Sequence, residues 1–172
     1  MNIDALERYL KSFGKQVVRQ AKNNLTSADK GGALEKSISF FITAQKGLIT
    51  IKFKMAAYGK FIDKGVSGTE KERSFKDFKG KTLKSPFRYT KQPPSRVLDK
   101  WIVKKGIAPR DEKGRFMSRK SISFLIARSI KRKGIQGISF FQKPLMLGLK
   151  QFGKEMLGAV KDDIINGLTT VK

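Results

Sequence analysis

Apolar residues near the start of the chain recur at steps of three and four: Leu6, Leu10, Phe13, Val17, Ala21 and Leu25. That spacing predicts an amphipathic helix from Ile3 to Leu25, with Lys11, Lys15, Arg19 and Lys22 on the opposite side. Thr26 to Gly32 ends it, because Asp29-Lys30-Gly31-Gly32 supplies residues that tolerate a turn. The period then shortens to two. Ile38–Thr43 and Leu48–Phe53 are β-branched and aromatic and flank Ala44-Gln45-Lys46-Gly47, which reads as a hairpin with a four-residue loop. Ile49, Ile51 and Phe53 alternate with Thr50, Lys52 and Lys54, so one sheet face is expected to be buried, under the first helix.

Met55–Gly65 reads as a short helix closed by Gly65, with Ala57, Phe61 and Ile62 helically spaced. Beyond it the pattern dissolves. Residues 66–93 are polar, basic and aperiodic up to Pro93-Pro94, and are expected to form an extended arm or loop that orders against neighbours. Ser95 is placed to cap a helix through Lys105 with a stripe of Val97, Leu98, Trp101 and Ile102. A turn-rich loop, Pro109–Phe116, precedes a helix from Ser121 to Lys133 with Ile122, Leu125, Ile126 and Ile130 inward. Its last turn carries cations, which suit a helix C-terminus. Ile138–Phe141 reads as extended. Pro144 then opens a final helix with a stripe of Leu145, Leu149, Phe152, Met156, Ala159, Val160, Ile164 and Leu168. The sequence therefore predicts one α+β domain over 1–172. Its small antiparallel sheet, built on a β-hairpin, is packed by N-terminal and long C-terminal amphipathic helices, with the basic arm at 66–93.

With 172 residues the chain is long enough for a real core. It has no Cys and no His, which removes thiolate chemistry, disulfides and the commonest general base and metal ligand. The first residues carry acids and lack a signal-type apolar run, and no membrane span is expected. Charge changes the picture most. The chain holds 38 Lys and Arg against 14 Asp and Glu, a net +24. Residues 60–133 hold 23 basic and 7 acidic residues. So large a surplus self-repels unless a polyanion is near, and nucleic acid is the natural one.

Candidate catalytic carboxylates are Glu70 with Glu72, Asp111 with Glu112, and Asp162 with Asp163. Each pair sits among lysines or at a helix end, and adjacent positions on a helix do not converge on a metal. Gly31-Gly32 and Gly65-x-x-Gly68 lack the spacing of a phosphate loop. No enzyme, cofactor or metal site is expected. For contacts along a DNA path or with neighbouring subunits, the candidates are Arg110, Lys113 and Arg115 beside Phe116, and the cluster Arg128, Lys131, Arg132 and Lys133. No helix-turn-helix, zinc-finger or RNA-recognition signature is present, so binding would be sequence-independent. Phe75, Phe78, Phe87 and Tyr89 interleave with lysines in the arm. They are candidate anchors on a neighbouring subunit, or stacking platforms for exposed bases.

Several strings resemble one family. Gly32-Ala33-Leu34-Glu35-Lys36-Ser37-Ile38 leading into a hairpin, then Tyr58-Gly59-Lys60-Phe61-Ile62-Asp63-Lys64-Gly65, resembles the tail-completion, or neck, proteins of tailed bacteriophages. Gly134–Pro144 before a long helix is similar to the way that family closes, and Lys100–Asp111 followed by Lys113-Gly114-Arg115-Phe116 is also phage-like. The stretch at 66–93 departs from the family, whose members pass more directly from the short helix to the closing segment. The resemblance implies a virion protein made in the host cytoplasm, without catalytic residues. It implies a homo-oligomeric ring, six- or twelve-fold, that joins the portal-side connector to the tail tube and surrounds the genomic DNA. A sequence-nonspecific nucleic-acid-binding module outside any virion is the alternative, and a nucleic-acid-processing accessory is a third reading.

Overall fold

The stripe of the first helix is buried as its spacing predicts: Leu10, Phe13, Val17, Ala21 and Leu25 line one side of α1 (Asp4–Ser27), while its basic residues face out or lie at the margin. The computed structural model describes residues 4–45 and 48–169, so Ile3 lies outside them. The fold is α+β. The chain separates into two compact units. One comprises the described residues up to Asp63, Lys76–Thr82 and those from Ile138 onward; the other comprises Lys64–Phe75 and Leu83–Gly137. Local periodicity carries no mark of this division, because both units draw on distant stretches of the chain.

In the first unit, Phe13, Val17, Ala21 and Leu25 share a core with Leu34 of α2 (Ala33–Ser37), Ile38, Phe140 and Phe141. Each such side chain contributes about 1.5–3 kcal/mol by leaving water. The hairpin of β1 (Ser39–Gln45) and β2 (Leu48–Lys54) lies against it in antiparallel register, with Phe40 opposite Phe53 and Ile42 opposite Ile51. Pairing continues to Gln45 opposite Leu48, so the ladder runs further than the expected four-residue loop allows. Ala44 and Gln45 carry no feature that would break it, and the remaining two residues of the loop, Lys46 and Gly47, lie outside the described set. The rings of Phe53 and Phe141 meet edge to face at 5.3 Å.

The long helix α6 (Gln142–Thr169) packs along α1, with Phe152 5.1 Å from Phe13 and 5.4 Å from Tyr9, ring centre to ring centre. Gly148 makes the close approach possible, since a Cβ there would lie 2.6 Å from the Phe13 ring. The packed line is thus Leu145, Gly148 and Phe152, and Leu149, predicted to point inward, is 40% exposed. A glycine gives no hydrophobic signal, so the stripe read from apolar residues alone is rotated off the real contact. The side chains of Met156, Ala159, Val160, Ile164 and Leu168 lie outside the described set.

The short helix α3 (Gly59–Lys64) starts later than predicted, because Ala56 N–H already donates to the Ser37 hydroxyl at 3.0 Å. It delivers Asp63, only 3% exposed, to the start of α6, where its carboxylate accepts from Phe141 N–H at 2.9 Å and Gln142 N–H at 3.4 Å. Amides at a helix start lack intrahelical acceptors and favour a negative charge.

The second unit is built round α5 (Arg119–Lys133). Ser118 caps its start, accepting from Ser121 N–H at 3.1 Å. At its end Thr69 N–H donates to Lys131 O at 2.9 Å, Glu70 N–H to Arg132 O at 3.0 Å, and Arg73 Nε to Lys133 O at 2.7 Å. A Cβ on Gly68 would stand 2.0 Å from Arg132 O, and one on Gly134, where φ is 68°, 2.2 Å from Val66 O. The stretch at 66–93 is therefore not a wholly extended arm. Its first residues close the C-terminus of α5, Val66 pairs with Ile135 and Ser67 with Arg88, and Phe75 is buried. Backbone hydrogen bonds hold this segment, and side-chain periodicity does not report them. Within it β3 (Ser74–Lys76) and β4 (Thr82–Lys84) form a second two-stranded sheet, its turn closed by Asp77, whose carboxylate accepts from Lys79 and Lys81 N–H at 2.9 and 2.8 Å.

One predicted helix is two elements: a 3-10 turn, Ser95–Leu98, and α4 (Asp99–Lys104). The Ser95 side chain makes no cap. Ile102 is buried, but Val97 and Trp101 are 64% and 43% exposed, because the tighter turn shifts the angular step between them. Both elements pack on α5, whose Leu125, expected inward, is also 49% exposed.

Candidate nucleic-acid interface

The second unit holds 19 Lys and Arg against 5 Asp and Glu. Its charged loop, Arg110 to Phe116, is a closed turn. Asp111 accepts from Lys113 and Arg115 N–H at 3.0 and 2.8 Å, and its other carboxylate oxygen takes Arg115 Nε at 3.1 Å. Arg110 donates to Gly114 O at 2.6 Å and its guanidinium stands 4.0 Å over the Phe116 ring. Arg110 and Arg115 are thus engaged inside the loop, and Lys113 is exposed on its tip.

At the far end of α5, Arg132 pairs with Glu70, holding that carboxyl below its usual range and its own guanidinium above its usual value. Arg128 and Lys133 also lower the Glu70 carboxyl. Arg128, Arg132 and Lys133 are exposed and Lys131 is half-buried. The loop leads into one end of α5 and the cluster ends it, so the two sets of cations lie at opposite ends of a 15-residue helix about 22 Å long.

The four arm aromatics have different surroundings. Phe75 is buried with the Lys64 ammonium 5.6 Å from its ring centre. Phe87 is half-buried, and its carbonyl accepts from Ser67 N–H at 2.8 Å. Tyr89 N–H donates to Ser67 O at 2.9 Å, and burial pushes its phenol above the usual value. Phe78 is 42% exposed, with the Lys79 ammonium over it. Of the four, Phe78 is the most exposed.

Three of the candidate carboxylates have local partners, and Glu112 is exposed. Glu70 meets Arg132, Glu72 meets Lys84 at 2.7 Å, and Asp111 meets Arg115; the side chains of Asp162 and Asp163 lie outside the described set. Lys84 holds the Glu72 carboxyl below its usual range. Among the described residues no three acidic side chains gather as metal ligands, and no helix is long and apolar enough to cross a membrane.

Sequence reading missed a cleft of about 620 Å³ lined by Ser95, Arg96, Asp99, Arg119, Lys120 and Ser123. It forms where the 3-10 turn packs on the first turns of α5. The signal was Ser118-x-x-Ser121, a helix cap just before a basic pair, but nothing local joins it to Ser95 and Arg96. Set against known proteins, the chain matches no family model, and no curated protein and no solved structure matches it.

Proposed function

We propose that this protein is a structural component of the neck of a tailed bacteriophage. In this reading it is a tail-completion subunit of a homo-oligomeric ring that joins the portal-side connector to the tail around the DNA path. The observation that carries the reading is that two strings of the family resemblance, far apart in sequence, are bonded to one another. Ile138 N–H donates to Ile62 O at 3.1 Å, Ser139 N–H to Asp63 O at 2.9 Å, and the Asp63 carboxylate receives Phe141 and Gln142 N–H. Strings that form one interlocked piece support a shared fold better than isolated matches do.

Surface chemistry supports the same reading. Val97, Trp101, Val103, Phe116, Phe124 and Leu125, all in the second unit, are 43% to 66% exposed. Large apolar side chains at such density suit surfaces covered in an assembly. The surplus of cations beside them suits a neighbour of DNA.

Loss of the gene from its phage tests this. The expected outcome is DNA-filled heads and finished tails that fail to join, with joining restored by the purified protein. Normal virions would overturn the reading. The charge of the second unit favours the alternative of a nonspecific nucleic-acid-binding module, for which virion assembly would be normal and duplex binding by the monomer would be strong and salt-dependent.

A further inference from the structure

Two of the large apolar side chains that the second unit exposes share one groove. Val103 and Phe116, 57% and 66% exposed, line a space of about 330 Å³ whose floor is the buried pair Ile102 and Ile122. Ile107 is half-buried in its wall, and of the nine residues that line it Arg119 alone is charged. Local bonds fix the walls. Gly106, where φ is 62°, turns the chain off the end of α4: its N–H donates to Val103 O and Ile107 N–H to Ile102 O, each at 3.1 Å. On the other side Met117 N–H donates to Pro109 O at 3.0 Å, and the Arg110 guanidinium backs the Phe116 ring at 4.0 Å. A groove already shaped in the free chain spares a partner part of the ordering cost of binding.

We infer that this groove, between the end of α4 and the Arg110–Phe116 turn, docks an acidic segment of a partner protein. One bulky apolar side chain of that segment enters the groove, and its carboxylates meet the cations around it. Charge complementarity selects this occupant. Residues 104–120 hold seven Lys and Arg against two Asp and Glu, and one of those acids, Asp111, is already paired with Arg115. Lys104 and Lys105 lie between lining residues, and Arg119 reaches the groove itself. A second copy of the chain would bring +24 against +24, and like charges across an interface oppose association. A DNA backbone would satisfy the cations but leave Val103 and Ile107 in water, since protein–DNA contacts are mainly polar. The volume, at the lower end of the ~300–1,000 Å³ usual for ligand sites, suits a single anchor.

The inference rests on the assembly reading only for where such a partner is found. A groove of this kind can serve a protein that forms no ring, and a ring can form without using it, so the two ideas fail separately.

The test is a titration of the full-length protein with three short synthetic peptides, followed through the methyl resonances of Val103 and Ile107. The first peptide carries one phenylalanine flanked by glutamates, the second has alanine in place of the phenylalanine, and the third has lysines in place of the glutamates. The first is expected to shift both methyls saturably, the second to bind about tenfold more weakly, and the third to leave them in place. Val103→Ser and Phe116→Ser, both at exposed positions, are each expected to weaken the first peptide severalfold. Phe41→Ser, at a 50% exposed position in the first unit, is the control and should leave its affinity unchanged. Equal binding by the first two peptides would reduce the contact to ion exchange and overturn the groove, as would unchanged affinity in both groove variants. The same methyls moving with protein concentration alone would assign the groove to a second copy, and their moving saturably with a short DNA duplex would assign it to nucleic acid. Either result overturns the acidic partner.

Discussion

Asp63 is a carboxylate almost wholly removed from water, and its worth depends on the two amides that face it. Removing it leaves those amides without an acceptor at the start of α6. We expect Asp63→Ala to cost roughly 2–3 kcal/mol in urea denaturation, with Asp63→Asn costing less because one oxygen remains to accept. A loss under about 0.5 kcal/mol for the alanine variant would show that water serves those amides equally well. Gly148 and Leu149 make a second contrast. In a free helix Gly→Ala gains about 1 kcal/mol, but at Gly148 the new methyl meets the packed Phe13 ring. Gly148→Ala is therefore expected to destabilise by about 1–3 kcal/mol. Leu149→Asp, on a partly exposed position, should change stability by no more than about 1 kcal/mol, whereas Phe152→Asp should cost several times that. Thermal unfolding of the three variants checks the order, and equal losses at 148 and 149 would contradict the packing described.

At the scale of elements, α5 depends on partners at both ends. Ser118→Ala should cost about 1 kcal/mol through its lost cap. Gly68→Ala should cost more, about 3 kcal/mol, because its Cβ meets a backbone carbonyl that cannot swing aside. Both are measured by the loss of helical signal with denaturant. The Glu70–Arg132 pair adds a pH dependence. Arg132 lowers the Glu70 carboxyl in the folded chain, so as pH falls into the ordinary carboxylate range the unfolded chain binds the proton first. The pair's contribution is present above that range and is lost as pH falls through it toward the lowered folded value. Melting curves taken through the acid limb should be flatter for Glu70→Gln than for the parent protein, by a small amount because both side chains are about half exposed and solvent screens the pair. An unchanged acid limb would show the pair to be inert.

For the whole molecule the governing quantity is a net charge of +24 on 172 residues. Mutual repulsion among these cations is relieved by salt and by any polyanion. We expect duplex binding to weaken steeply with salt, with a log–log slope of about −4 or steeper, corresponding to about five neutralised phosphates. Anisotropy measured over a range of potassium chloride reads this directly. A slope near −1 would mean that the cations are spread too thinly to follow a DNA backbone, and would favour acidic protein surfaces as their partner.

The sequence by itself determined whatever one repeating face decides. Leu10 to Leu25 recur every turn and are buried along α1, and the alternation puts Ile51 and Phe53 on the packed side of their strand, because both signals sum over many residues. It equally determined that Cys and His chemistry is absent and that the charge is lopsided, since these are properties of composition. Tertiary structure alone decided the rest, for one physical reason: the decisive contacts are made by groups that carry no local pattern. The backbone amides of Thr69 and Glu70 close α5, so a stretch that reads as a loose arm is partly built into the second unit. A glycine, not the apolar Leu149, meets Phe13. The cleft joins residues 95–99 to 118–123, a meeting that only the packing of the 3-10 turn on α5 could bring about.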